Sequence, residues 1–206
     1  MSAQQRCFVG FELAPRSLEW LREATGQIHQ QVAATTGWKL NPVLPENWHM
    51  TLIFFPGITK EERRQVWQAV SAWTSAGAWE KLDIQWEGWS LWPSPRRANL
   101  LCLEGAVYAP AARWPLQDCL EIPPFNSART EHLARFRPHI TLARFRRGGR
   151  PSSQEAWGRL QPQLPVLPAS PLEFDRISLF ISQLSAARPV YPREESMALP
   201  ESLQGR

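Results

Sequence analysis

The segment His-x-Thr-Leu occurs twice in this chain, as His49-Met50-Thr51-Leu52 inside HMTLIFF and as His139-Ile140-Thr141-Leu142 inside HITLARF. Each copy opens a run of aliphatic, aromatic and β-branched residues, which reads as a strand. Alternate side chains of a strand share a face, so the His and Thr of each copy point one way, roughly 7 Å apart. Met50, Leu52, Ile140 and Leu142 then point to the other face and suit a core. The chain is thus constrained to two half-buried strands, each presenting an imidazole and a hydroxyl on its open side. With eight threonines and four histidines in 206 residues, two such pairs arise by accident on the order of once in a hundred sequences. The shared leucine lowers that further.

Around these strands the pattern alternates between strand-like and helical segments. Residues 5 to 13 (QRCFVGFEL) read as a strand ended by Pro15, and 16 to 34 as a helix carrying Leu18, Leu21, Ile28 and Val32. The first motif strand is expected over 49 to 55, stopped by Pro56-Gly57. Thr59 then caps a helix with Glu61 and Glu62 in its first turn, running to about Ala76 with Val66, Ala69, Val70 and Trp73 on one face. Strands follow at 82 to 92 and 99 to 106, joined by the turn-rich PSPRR. A proline-broken stretch from 110 to 138 precedes the second motif strand, 139 to 145. A short helix near 153 to 160 and a closing antiparallel pair, 176 to 182 and about 190 to 199, complete the chain. The last residues, from about 200 to 206, read as a loose tail.

The length holds one large domain or two small lobes sharing a cleft. No apolar run approaches the ~18 to 20 residues of a membrane span, and the apolar stretch Cys7 to Phe11 is too brief for a secretory leader. No membrane association is expected, and a cytoplasmic protein follows by default. Cys7, Cys102 and Cys119 show no C-x-x-C spacing and read as buried thiols. The four histidines lack the spacing and carboxylate company of a metal site, so no metal is expected; no P-loop or G-x-G-x-x-G is present.

Charge adds a direction. The net charge of +4 rests on twenty arginines against three lysines, and seven arginines (129, 135, 137, 144, 146, 147, 150) crowd the second motif against one acid, Glu131. A guanidinium offers a rigid donor fork suited to phosphate, so a polyanionic partner fits this region, although a general bias towards arginine gives the same composition. Breaking a phosphodiester with water requires a base for the nucleophile and an acid for the departing oxygen. Imidazole serves either role near neutral pH, and threonine hydroxyls and an arginine can hold the phosphate oxygens. Arg144 lies five residues beyond His139, an odd number, so a bulge or the strand end must redirect it onto the His/Thr face.

HMTLIFF and HITLAR resemble the two signature motifs of the 2H phosphoesterase superfamily, and the layout is similar to its bacterial and archaeal RNA 2',3'-cyclic phosphodiesterase branch, formerly called 2'-5' RNA ligase. FVGFEL resembles that family's opening strand and ISLFISQLSAARPVY its closing hairpin. The resemblance implies an α+β fold, with residues 1–206 as a single bilobal domain. In it two antiparallel sheets with flanking helices, related by a pseudo-twofold, face a central cleft. It implies hydrolysis of RNA 2',3'-cyclic phosphate ends to a 2'-phosphate, with no metal or cofactor. His49 would be the proton donor and His139 the general base. Thr51, Thr141 and Arg144 would hold the phosphate, and Phe54 could stack on the base. RNA or oligonucleotide ends are the expected partners of a monomer. The stretch 107 to 137 departs from the family in being proline-broken where relatives carry a clear helix.

Other readings remain open at this point: another cyclic-phosphate hydrolase, a 2'-5' ligase on the same site, or a non-catalytic RNA binder. Trp48 and Trp92 lie close to the motif strand and a cleft loop and could stack on bases, although most of the eleven tryptophans read as core packing. His29 reads as part of a solvated helix face and His132 as a surface loop residue.

Overall fold

Why the helices form is visible in their ends and stripes. In the computed structural model, which describes residues 3–77, 84–107, 136–146, 154–183 and 189–200, α1 (Pro15–Thr35) starts on a proline at its first position and buries Leu21, Ala24, Ile28 and Val32. Proline is tolerated there because that backbone N–H has no helical partner. Helix α2 (Lys60–Ser75) begins with a full capping box. Thr59 Oγ1 accepts the Glu62 N–H at 3.2 Å, while Glu62 Oε2 accepts the Thr59 N–H at 2.6 Å. Its Val66, Val70 and Trp73 are buried. A short α3 spans Gln154–Leu160. No helix of the described residues is long and apolar enough to cross a membrane.

The strands are β1 (Gln5–Leu13), β2 (Leu40–Pro42), β3 (His49–Ile58), β4 (Ile84–Trp92), β5 (Leu100–Val107), β6 (His139–Phe145), β7 (Phe174–Ile181) and β8 (Arg193–Ala198). They form one sheet in the order β4-β5-β6-β3-β1-β7-β8, with β2 alongside β6. Every pairing is antiparallel. The α+β class with antiparallel strands is as expected. The strand pairing, however, runs through one continuous sheet rather than two. The joint is slender: β3 and β6 share a single register pair, Met50 with Ile140, the middle residues of the two His-x-Thr segments.

One core gathers the helix stripes and alternate strand residues, among them Val9, Phe11, Met50, Phe55, Leu101, Leu103, Ile140, Leu142, Ile177 and Leu179. Fully burying each such side chain contributes about 1.5–3 kcal/mol. The opposite strand face carries Phe8, Glu12, His49, Thr51 and Ser178, and it is this face that holds the candidate site.

Some local expectations need correction. Strand β3 does not stop at Pro56-Gly57 but runs to Ile58. The β1–β3 register slips there, Gln5 opposing Ile58 and Cys7 opposing Phe55, and a bulge accommodates a residue without an N–H. Trp48 is no cleft residue: it is 5% exposed and part of the core. His29 is half-buried rather than solvated, with a buried Nε2 that meets no partner, and burial lowers its pKa. Cys7 and Cys102 are buried free thiols, both pushed by burial up to about 12. Cys119, His132, most of the proline-broken stretch and nearly all of the tail lie outside the described residues.

Candidate active site

The two motif strands share more than spelling. Opposite β1, Val9 pairs with Ile53 but Gly10 with Thr51, so Leu52 is an extra residue in β3. Opposite β5, Leu101 pairs with Ala143 but Cys102 with Thr141, so Leu142 is an extra residue in β6. Each is a bulge that reverses the alternation of faces. Leu52-Ile53 and Leu142-Ala143 are accordingly consecutive buried residues. The fifth residue after each histidine, Phe54 or Arg144, thereby turns onto the His/Thr face. That is how Arg144 overcomes its odd spacing.

The Met50–Ile140 pair then sets the four polar groups. In an antiparallel register around that pair, His49 lies against Thr141 and Thr51 against His139. The same antiparallel sense carries Arg144 past Thr141 towards His49, and its charge acts on that imidazole.

Both imidazoles are locked alike. His49 Nδ1 donates to the Asn47 carbonyl at 2.7 Å, and His139 Nδ1 to the Arg137 carbonyl at 2.9 Å. With Nδ1 carrying the proton, each neutral ring keeps Nε2 for accepting or passing a proton. The surroundings differ. His49 stacks on Phe8 (centroids 4.5 Å apart) and meets Phe180 at 5.7 Å and the edge of Tyr191 at 5.4 Å. Gly10 lies beneath it: a Cβ there would come within 3.0 Å of the Met50 oxygen and 3.5 Å of His49 Cδ2. Burial in this cage pushes His49 down to about 4, with the Asn47 carbonyl and Glu12 opposing and His139 and Arg144 adding to the fall. His139 instead packs against Trp92 at 4.2 Å. Its pKa is also lowered by burial, against the Arg137 carbonyl and Glu104, which raise it.

Beside His49 opens a cavity of about 650 Å³, bordered by Val43, Leu44, Asn47, Arg144, Phe180 and Tyr191 among others. It is large enough for a nucleoside-sized ligand, with aromatic and aliphatic walls and two exposed guanidiniums, Arg144 and the Glu12-paired Arg193. Among the described residues Arg144 has no ion-pair partner, whereas Arg137 pairs with Glu104 and Arg146 Nε donates to Asn41 at 2.7 Å. The arginine-rich segment is therefore not one patch of free charge. Arg129, Arg135, Arg147 and Arg150 lie outside the described residues.

All six residues singled out from the sequence, His49, Thr51, Phe54, His139, Thr141 and Arg144, thus belong to one face of the sheet. Phe54 already carries the Arg6 guanidinium 5.3 Å from its ring centre. Trp92 does lie on this face, but as a support for His139 and for Arg137, whose guanidinium sits 4.5 Å over its ring. Sequence reasoning missed Phe8, Phe180 and Tyr191, and also Glu12 and Glu104. The aromatics sit in segments that read only as strand or hairpin, and nothing local marks them as neighbours of a histidine. The glutamates did carry a signal, as carboxylates within otherwise apolar strands. Among the described residues no three His, Cys, Asp or Glu side chains gather as metal ligands.

No protein-family model and no curated protein sequence matches the chain. Among solved structures, TT0787 of Thermus thermophilus is 21% identical with a TM-score of 0.51, over 94% of this chain and 97% of that one. LigT of E. coli, solved in complex with phosphate, is 20% identical with a TM-score of 0.47, over 96% and 99%. At this identity the likeness to TT0787 establishes a shared fold and nothing further.

Proposed function

We propose that the chain is a 2H phosphoesterase that hydrolyses 2',3'-cyclic phosphate ends of RNA to 2'-phosphates without a metal ion. The observation that carries this reading is the matched pair of motif strands. Each locks a histidine through Nδ1, sets it against the other strand's threonine, and turns its fifth residue inward by a bulge at the motif leucine. On this reading the sheet is two four-stranded halves related by a pseudo-twofold at the Met50–Ile140 joint.

The chemistry follows from four groups and one guanidinium. The cyclic phosphate sits over Thr51 and Thr141, whose hydroxyls donate to its non-bridging oxygens, and Arg144 offsets the charge that builds up in the transition state. His139 Nε2 takes a proton as the oxygen of a water attacks phosphorus. The P–O3' bond breaks, and His49, which carries a second proton as the imidazolium in the substrate complex, gives its Nε2 proton to O3'. The products are a 3'-hydroxyl and a 2'-phosphate, and solvent returns each imidazole to its starting state. Phe54 is available to stack on a base, and the cavity beside His49 suits the terminal nucleoside.

Burial favours neutral imidazoles in the empty site, whereas a bound phosphate anion favours the imidazolium. The alkaline limb of kcat should therefore lie at higher pH than that of kcat/KM, and the kcat/KM optimum below 6.5. The deciding assay is incubation with nucleoside and oligonucleotide 2',3'-cyclic phosphates in EDTA, with products resolved by phosphorus NMR. Conversion to the 2'-phosphate is the expected result. Loss of turnover on chelation would overturn the metal-free mechanism. No turnover of any cyclic phosphate, together with salt-sensitive RNA binding, would leave a binding protein instead.

A further inference from the structure

Each histidine faces a glutamate across the neighbouring strand: Glu12 of β1 is the register partner of His49, and Glu104 of β5 the partner of His139. Directly opposed residues have Cβ atoms about 4.5–5.5 Å apart on one face. Each glutamate is in turn gripped by an arginine from elsewhere in the chain. Arg193 of β8 places Nε 3.0 Å from both oxygens of Glu12, and Arg137 pairs with Glu104. The two glutamates are 14% and 12% exposed, and both arginines 54%. Further donors complete each grip: Ser178 Oγ to Glu12, and Trp92 Nε1 to Glu104 at 3.0 Å.

This arrangement is costly for a mere sheet position. A largely buried carboxylate loses hydration, and an apolar residue would fill the place at no such cost. Neither glutamate touches a ring nitrogen in the hydrogen bonds that hold the imidazoles, since Nδ1 is already bound to a carbonyl. What each does is hold the histidine's other supports. Glu104 ties together Arg137, whose own carbonyl orients His139, and Trp92, on which both His139 and the Arg137 guanidinium pack. Glu12 ties β1 to β7 through Ser178 and to β8 through Arg193, beside the Phe8, Phe180 and Tyr191 cage.

We propose that Glu12 and Glu104 are positioning residues, one dedicated to each histidine, which fix the imidazole's supports and supply the negative charge that balances the imidazolium formed in the reaction. The catalytic part rests on the cyclic-phosphodiesterase reading; the pairing of each carboxylate with its own histidine does not. Other charges face these rings too: Arg144 and His139 of β6 act on His49, and Arg137 acts on His139.

The test uses the full chain as Glu12→Gln and Glu104→Gln, which keep the shape and one acceptor oxygen while removing the charge and turning the other oxygen into a donor, with the Asp variants restoring charge and both acceptors. Each imidazole is titrated by ring-nitrogen NMR, and turnover of a nucleoside 2',3'-cyclic phosphate is followed against pH. Glu104→Gln should lower the titration midpoint of His139 and leave that of His49 in place. Glu12→Gln should do the reverse. Each should reduce kcat about tenfold with KM within about twofold, moving one limb of the pH profile each, and the Asp variants should bring the midpoints back. The limb that moves with Glu104→Gln is then the one governed by His139. Unmoved midpoints in both Gln variants, or one midpoint that answers to both, overturn the proposal. A wild type that turns over no cyclic phosphate defeats the functional reading, while the titrations still decide the pairing.

Discussion

The His49 and His139 sides of the site carry the same parts in different settings. Both place the imidazole at a strand start, lock Nδ1 on the carbonyl two residues back, and oppose it with an arginine-bound glutamate. Yet His49 is walled by Phe8, Phe180 and Tyr191, from three separate segments, whereas His139 leans on Trp92 beside a guanidinium. The fifth residue inward is an aromatic on one side and a cation on the other. On the proposed reading, geometry common to the halves serves proton transfer; what differs between them is desolvation and charge, which decide the protonation each ring prefers.

The hardest challenge to this equivalence is removal of each ring. His49→Ala and His139→Ala should each cost about 10³-fold or more in kcat/KM on a nucleoside cyclic phosphate, and the double variant little more than either alone, because the two act as a unit. A single variant keeping a tenth of wild-type activity would show that one half is dispensable. Next comes the position at which the halves diverge. Arg144→Ala should lose about 10²-fold in kcat, and Phe54→Ala less than tenfold, in the same steady-state assay. Equal losses would mean that the two bulges serve the phosphate alike.

A smaller effect concerns stability. The folded-state pKa of His49, about 4, lies below its ordinary 6.5, so the unfolded chain takes up the proton first. His49 therefore withdraws stability as pH falls from about 6.5 to 4, and the loss is complete below that. His49→Gln should show a shallower fall across this window in urea melts. An unchanged slope would mean that the aromatic cage does not desolvate the ring.

Much of the site was legible because strand periodicity is local. The His-x-Thr alternation, the capping box at Thr59 and the stripe of α1 follow from spacing alone. Arg144 was only half legible: its odd spacing demanded a bulge, and nothing in HITLARF says that Leu142 is the inserted residue, since a bulge is defined by the partner strand. His29 reads wrongly from the sequence, and Trp48 stays open between core and cleft, for a related reason. Both sit in sequence next to polar residues, and burial is set by what packs over them from elsewhere in the chain.

Phe8, Glu12, Trp92, Glu104, Phe180 and Tyr191 illustrate the same boundary. By itself the sequence determined that two strands present His and Thr on one face, because the two-residue repeat of an extended chain leaves no alternative. Only the tertiary structure decided that these strands meet at Met50 and Ile140, that each leucine is a bulge, and that each histidine faces its own glutamate. Those are relations between strands far apart in the chain, set by register and packing across the sheet, and no local spacing encodes them.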